Sequence, residues 1–175
     1  MPEPRHGGII LRAMVDISRL GDADWGVYRD VRLASLEDSP SAFGSQLADE
    51  RGRTDASWRA RLANRTQFVA WDEGRLIATV GCLPWEDGAI ELVSMWVAPA
   101  ARGTGVADLL VDAVVAHARD RGCHTTILWV SEGNGPAERL YARHGFARTG
   151  RVQPVDDRDP ARGTEFEMRR VDPRG

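Results

Sequence analysis

The sequence predicts an α/β protein built on a mixed sheet. Three observations carry that expectation: a helix-rich opening, an antiparallel meander of strands in the middle, and a β-α-β unit behind it. With 175 residues, 42% of them hydrophobic and 28% charged, one core in one domain over 1–175 is expected, with residues 1–8 as a flexible leader.

The elements follow in order. Ile9 to Met14 reads as a short strand, and Asp22 or Asp24 caps a helix through Trp25, Tyr28, Val31, Arg32 and Leu36 at helical spacing. Asp38-Ser39-Pro40-Ser41 is a turn, 42–53 is ambiguous, and Thr54 or Asp55 caps a helix containing Trp58 and Leu62. Phe68 to Trp71 and Leu76 to Leu83 are strands joined by Asp72-Glu73-Gly74, where glycine supplies a positive φ. Glu86-Asp87-Gly88 turns the chain into a strand from Ile90 to Val97, ended by Pro99. From Thr104 to Arg119, Val106, Leu109, Leu110, Ala113, Val114 and Ala118 recur with the period of an amphipathic helix, and Gly122 stops it. Thr125 to Val130 is apolar enough for a strand covered on both faces, lying parallel to the strand before the helix. A shorter helix, Pro136 to His144, and strands Phe146 to Val152 and Thr164 to Arg170 complete the chain.

Composition narrows the function. A net charge of −3 with interspersed arginines and acids provides no basic stripe for a phosphate backbone, so no nucleic-acid partner is expected. No apolar run approaches bilayer length and no signal-peptide pattern opens the chain, so a cytoplasmic protein without a membrane partner is expected. Cys82 and Cys123 form neither a CxxC pair nor a cluster at metal-ligand spacing, so the expectation is two reduced thiols and no metal.

A phosphate site is suggested where the strand ending at Val97 passes through Arg102-Gly103-Thr104-Gly105-Val106-Ala107 into the long helix. Glycines let the backbone approach a bulky anion, and the first-turn N–H groups lack intrahelical partners and carry the positive end of the helix dipole. No lysine completes a GxxxxGK loop, and Asp108 stands at the third-glycine position of GxGxxG, which disfavours nucleotidase and dinucleotide folds. Turn and cap glycines alone would explain the pair equally well.

A second segment, Asn134-Gly135-Pro136-Ala137-Glu138-Arg139-Leu140-Tyr141-Ala142-Arg143-His144-Gly145-Phe146, follows the buried strand. Together the two segments resemble the GNAT superfamily of N-acetyltransferases. Arg102, Gly103, Gly105 and Ala107 fill its R-G-x-G-x-A pattern, and Asn134 to Phe146 fills N-x-x-A-x-x-L-Y-x-x-x-G-F. The resemblance covers Ile90 to Phe146. It implies a splayed mixed sheet of about seven strands flanked by about four helices, with acetyl-CoA in the cleft between the strands ending at Val97 and Val130. Its pantetheine would pair with backbone groups of Met95, Trp96 and Val97, its pyrophosphate would take N–H groups from Arg102 to Ala107, including Thr104 and Val106, and Asn134 and Ala137 would lie beside it. Asn134 also suits a helix N-cap.

Acetyl transfer to an amine needs a base for the ammonium, a donor for the oxyanion and a proton for the departing thiolate. By resemblance, Glu91 matches a position used for the base, although an ordinary strand residue reads the same way, and Tyr141 matches the general acid. The oxyanion donor would be a backbone N–H between Ser94 and Val97, where the family often carries a bulge. His117 and His144 read as boundary and helix-end residues, and an acyl-cysteine route through Cys123 and His124 has no orienting acid. The acceptor is expected near the first helices and hairpins, which hold Glu37, Asp38, Asp49, Glu50, Asp55, Glu86 and Asp87, with Trp58, Trp85 and Trp96. These suit a cationic small-molecule or peptide amine, or form an acidic surface over core tryptophans. A homodimer is common in the family. The alternative to an enzyme is an acyl-CoA-binding or sensing module, which would have no need of Tyr141 or Glu91.

Overall fold

The structure, a computed structural model, describes residues 15–43 and 45–173. Seven strands form one sheet: β1 (Asp16–Arg19), β2 (Thr66–Asp72), β3 (Arg75–Pro84), β4 (Ile90–Val97), β5 (Thr125–Ser131), β6 (Ala147–Pro154) and β7 (Thr164–Val171). Their order is β1-β2-β3-β4-β5-β7-β6, and only the β4–β5 contact is parallel. The strand expected at Ile9 to Met14 lies outside the described residues. β1 itself was not expected, because Asp-Ile-Ser-Arg is a short polar strand at a sheet edge, where solvent weakens the apolar alternation.

Five helices are described: α1 (Trp25–Asp38), α2 (Leu47–Arg51), α3 (Asp55–Ala63), α4 (Val106–Asp120) and α5 (Gly135–Arg143). α2 lies in the ambiguous stretch and is one more than the four expected. Thr54 caps α3 as its sequence suggests, its Oγ1 accepting from Ser57 N–H at 3.2 Å. The β2–β3 turn is Glu73-Gly74 with φ of 48° and 76°, the paired positive φ that matches a hairpin's twist.

Adjacent residues of β2 assign the faces. Ala70 belongs to the cluster under α4, whereas Val69 packs with Tyr28, Trp58 and Leu62 of α1 and α3. Because successive strand residues point to opposite sides, α4 and the α1–α3 layer cover opposite faces. α4 buries Val106, Leu110, Val111, Val114, Val115 and Ala118. Its buried stripe is therefore rotated by one step from the expected one. Leu109 is 44% exposed, and Val111 and Val115 take the inner positions. Burying each of these valines contributes about 1.5–3 kcal/mol before entropy is counted.

Candidate functional site

β4 and β5 are paired only at Ile90↔Thr126 and Glu91↔Ile127. Beyond Glu91 the strands part, while β3 remains the partner of β4 and β7 the partner of β5. On β4, Thr79↔Trp96 is followed by Gly81↔Val93, so two residues, Ser94 and Met95, stand opposite Val80. This bulge forces Ser94 to φ 56°. It falls between Ser94 and Val97, the segment where the family resemblance leads one to expect a bulge.

The divergence leaves a cavity of about 360 Å³ bordered by Glu91, Ser94 and Met95 from β4, Trp129 from β5, Asn134, Ala137 and Tyr141 around α5, Arg32 from α1, Phe43, and Gln153 and Glu165 from the last two strands. Glu91 and Tyr141 are thus brought to one cavity from segments fifty residues apart. Burial, with the charge of Glu165 added, raises Glu91 to about 7. The Glu165 carboxyl is also raised by burial, opposed by the hydrogen bond that Gln153 Nε2 donates to it at 2.7 Å. Tyr141 is 5% exposed and packs edge-on to Phe146 at 5.8 Å; burial raises its phenol well above the ordinary value, so it stays protonated. Asn134 caps α5, its Oδ1 accepting from Ala137 N–H at 3.2 Å, which leaves its amide N–H groups for another partner.

The glycine segment begins α4 as expected. Gly103 and Gly105 have φ of 76° and 89°, and a Cβ on either would meet no heavy atom within 4 Å. The space above them is open, and the conformation, rather than crowding, requires glycine. Asp108 and Leu109 N–H groups turn back to Gly105 O, so Gly105, Val106 and Ala107 carry the N–H groups that a helix start leaves without intrahelical acceptors. Arg102 differs from the rest of this segment. Its N–H donates to Pro99 O at 3.3 Å, and its guanidinium bonds Val97 O at 3.1 Å and the Asp38 carboxylate. It fastens the end of α1 to β4, and the N–H groups available to an anion begin at Gly103. Thr104, Gly105 and Val106 border a second, larger cavity of about 830 Å³ with Val15, Arg75 and Ile77. Although larger, it is bordered by neither Glu91 nor Tyr141, which meet only at the smaller cleft among the described residues.

Of the acids expected to meet the acceptor, Glu37, Asp49 and Asp55 are exposed on the helical layer, and others are engaged within the protein. Glu50 is fully buried among arginines, Asp38 is held by Arg102 and Trp96, and Trp58 is core. Trp85, Glu86 and Asp87 border a separate recess of about 70 Å³. The carboxylates facing the cleft are Glu91 and Glu165. Glu165 was missed, although Glu165-Phe166-Glu167-Met168 alternates clearly enough to put both acids on one face of β7. The cysteines lie away from the cleft; burial raises Cys82 to about 11, which suits an inert thiol. His144 bonds Asp108 at 2.9 Å near the end of α5, and His117 sits between Thr66 and Phe68, both outside the cleft.

A family model of the Acetyltransferase (GNAT) family matches residues 31–146. A mycothiol acetyltransferase of Thermomonospora curvata is 34% identical over 114 residues, 65% of this chain and 37% of that protein, so the chain spans well under half of that relative. An uncharacterized N-acetyltransferase of Mycobacterium bovis is 33% identical over 121 residues, 67% of this chain and 69% of its own. Among solved structures, a Salmonella typhimurium protein determined with its cofactor acetyl-CoA shares the fold, with a TM-score of 0.69 at 22% identity over 93% of this chain and 96% of that one. With residues 31–146 matched and the divided sheet in place, the chain belongs to the GNAT acetyltransferase family.

Proposed function

We propose that the protein transfers the acetyl group of acetyl-CoA to a primary amine by direct attack in a ternary complex. The observation that carries this reading is the convergence of Glu91, Tyr141, Asn134 and the β4 bulge on one cleft where β4 and β5 part. The open space over Gly103 and Gly105 fits a pyrophosphate, with N–H groups of Gly103 to Ala107 as its donors. The parted edge of β4 at Met95 to Val97 suits a pantetheine arm lying as an added strand.

In this reading Glu91, ionised, takes a proton from the acceptor ammonium. The freed amine forms a C–N bond with the thioester carbonyl, and the developing oxyanion is met by backbone N–H at the Ser94–Met95 bulge. As the C–S bond breaks, Tyr141 gives its phenolic proton to the thiolate, and the second proton of the attacking nitrogen passes to the phenolate as the amide forms, which restores Tyr141. A proton leaves with the base, so the products are the amide, free coenzyme A and one H⁺. Both groups have the protonation their roles require: Glu91 titrates near neutrality and Tyr141 keeps its proton.

The test is calorimetric titration of coenzyme A together with thiol release from acetyl-CoA across a panel of amines. Wild type should bind and turn over. Gly105→Glu should lose binding, and Tyr141→Phe should keep binding while turnover falls ~10²-fold or more. Binding without turnover would support a sensing module instead, and no binding would overturn the reading.

A further inference from the structure

The α1 side of the cleft carries a buried cation with too little negative charge around it. Arg32 is 6% exposed and borders the cavity that holds Glu91 and Glu165. Its Nη2 lies 4.0 Å from Glu50 Oε1, beyond hydrogen-bond reach. The other oxygen of Glu50 already accepts from Arg53 Nε at 2.6 Å and Arg61 Nη1 at 2.5 Å. Three guanidinium groups therefore share one carboxylate. Arg53 and Arg61 reach water with 36% and 27% of their side chains exposed, whereas Arg32 does not. Nη1 of Arg32 is 3.5 Å from Ser94 Oγ, its Cζ lies 4.8 Å from the centroid of the Phe43 ring, and its Nε has no hydrogen-bond partner among the described residues. Burial lowers the pKa of Arg32, the direction expected when desolvation exceeds the help of its counter-ion.

A buried guanidinium at the wall of a cavity, with Nη1 held only by a 3.5 Å contact to Ser94 Oγ and Nη2 beyond hydrogen-bond reach of Glu50, is a site for an anion. The coenzyme pyrophosphate does not supply that anion, because the α4 start borders a different cavity, which Arg32 does not touch. Across the cleft, Glu91 and Glu165 suit a cation. We propose that the acceptor is a small amino-acid-like molecule, whose carboxylate is held by Arg32 while its amine is presented to Glu91 and Glu165. The proposal rests on the acetyl-transfer reading and names its substrate class. A diamine of similar length would bring its second positive charge against Arg32. A cavity of about 360 Å³ lies at the small end of the range for ligand sites. The carboxylate takes no part in bond making; its pairing with Arg32 fixes the direction from which the amine approaches.

The experiment compares acceptors that differ only at the carboxylate: an α-amino acid, its primary amide and the corresponding decarboxylated amine, with an ω-amino acid series added to vary the spacing. Thiol release from acetyl-CoA is followed with the full chain. The proposal expects kcat/KM for one carboxylate-bearing series to exceed both partners ~10²-fold or more. Arg32→Gln should reduce that ratio to about threefold or less, chiefly by losing the carboxylate-bearing acceptor, and Arg32→Lys should fall between. If Arg32 only supports the bulge at Ser94, Arg32→Gln lowers all acceptors equally and the ratio survives, which overturns the proposal. Circular dichroism checks that the variants fold, and the wild-type ratio decides independently of them: a ratio near one refutes the proposal. Turnover without carboxylate preference removes this inference alone. Loss of coenzyme A binding by calorimetry removes the acetyl-transfer reading with it, whereas binding without turnover on these acceptors refutes the amino-acid acceptor and leaves the transfer reading to the wider amine panel.

Discussion

Glu91 ionises near neutral pH because burial and the charge of Glu165 both oppose its anion. Its folded-state pKa of about 7 lies above the 4.5 of a free glutamate, so the folded chain holds this proton more tightly than the unfolded one does. Stability from this group is present below 4.5 and is lost as pH rises through 7. Glu91→Gln should therefore be more stable than wild type at pH 8, by about 1–3 kcal/mol in urea melts, and nearly equal at pH 4. Activity runs the other way. The base works only when ionised, so wild-type kcat/KM should climb tenfold per pH unit up to an apparent pKa of about 7, while Glu91→Gln loses ~10²-fold or more and that limb of the profile. A variant with the limb intact would remove Glu91 from the role. At this scale Tyr141 and Asn134 were legible through their motif and Glu91 through its position on β4, where an ordinary strand residue read equally well, but Arg32 and Glu165 were concealed. An arginine at a buried helical position reads as a boundary side chain, and its nearest carboxylate, Glu50, comes from a stretch with no clear periodicity.

Elements with strong periodicity were legible nearly to the residue. β4 begins and ends at Ile90 and Val97 as expected, and the long helix stands where its apolar repeat put it, because one buried stripe leaves little freedom in register. Its one-step rotation, with Leu109 outward, depends on how the helix meets the sheet, which local pattern does not encode. The split between β4 and β5 is also a property of two elements together, invisible in either strand's composition. The entry to α4 can be tested against an ordinary helical glycine. Gly105→Ala has room for its methyl but must hold φ at 89°, so a loss of about 1–2 kcal/mol and a Tm lower by about 2–8 °C are expected. Gly26→Ala, in the first turn of α1 with nothing within 4 Å, should instead gain roughly 0.2–0.5 kcal/mol, less than at a helix interior. Equal effects in thermal melts would show that the left-handed conformation is not what Gly105 supplies.

Across the whole molecule, two half-sheets, β1 to β4 and β5 to β7, meet through two residue pairs. A ligand spanning the split adds contacts to both halves and binds the folded chain alone. Saturating coenzyme A at ~100 Kd should raise stability by about 2.7 kcal/mol. Hydrogen exchange should slow at Met95 to Val97 and Leu128 to Ser131 while the β2–β3 hairpin stays unchanged. Uniform slowing, or none at the split, would place the coenzyme elsewhere. Glu91 occupies the last pair before the strands diverge, at the crotch of a fork, whereas Tyr141 and the bulge belong to its opposite tines. The separation of Tyr141 from the bulge is therefore set by how far β4 and β5 diverge, whereas the place of Glu91 is set by the last backbone pair that holds them together.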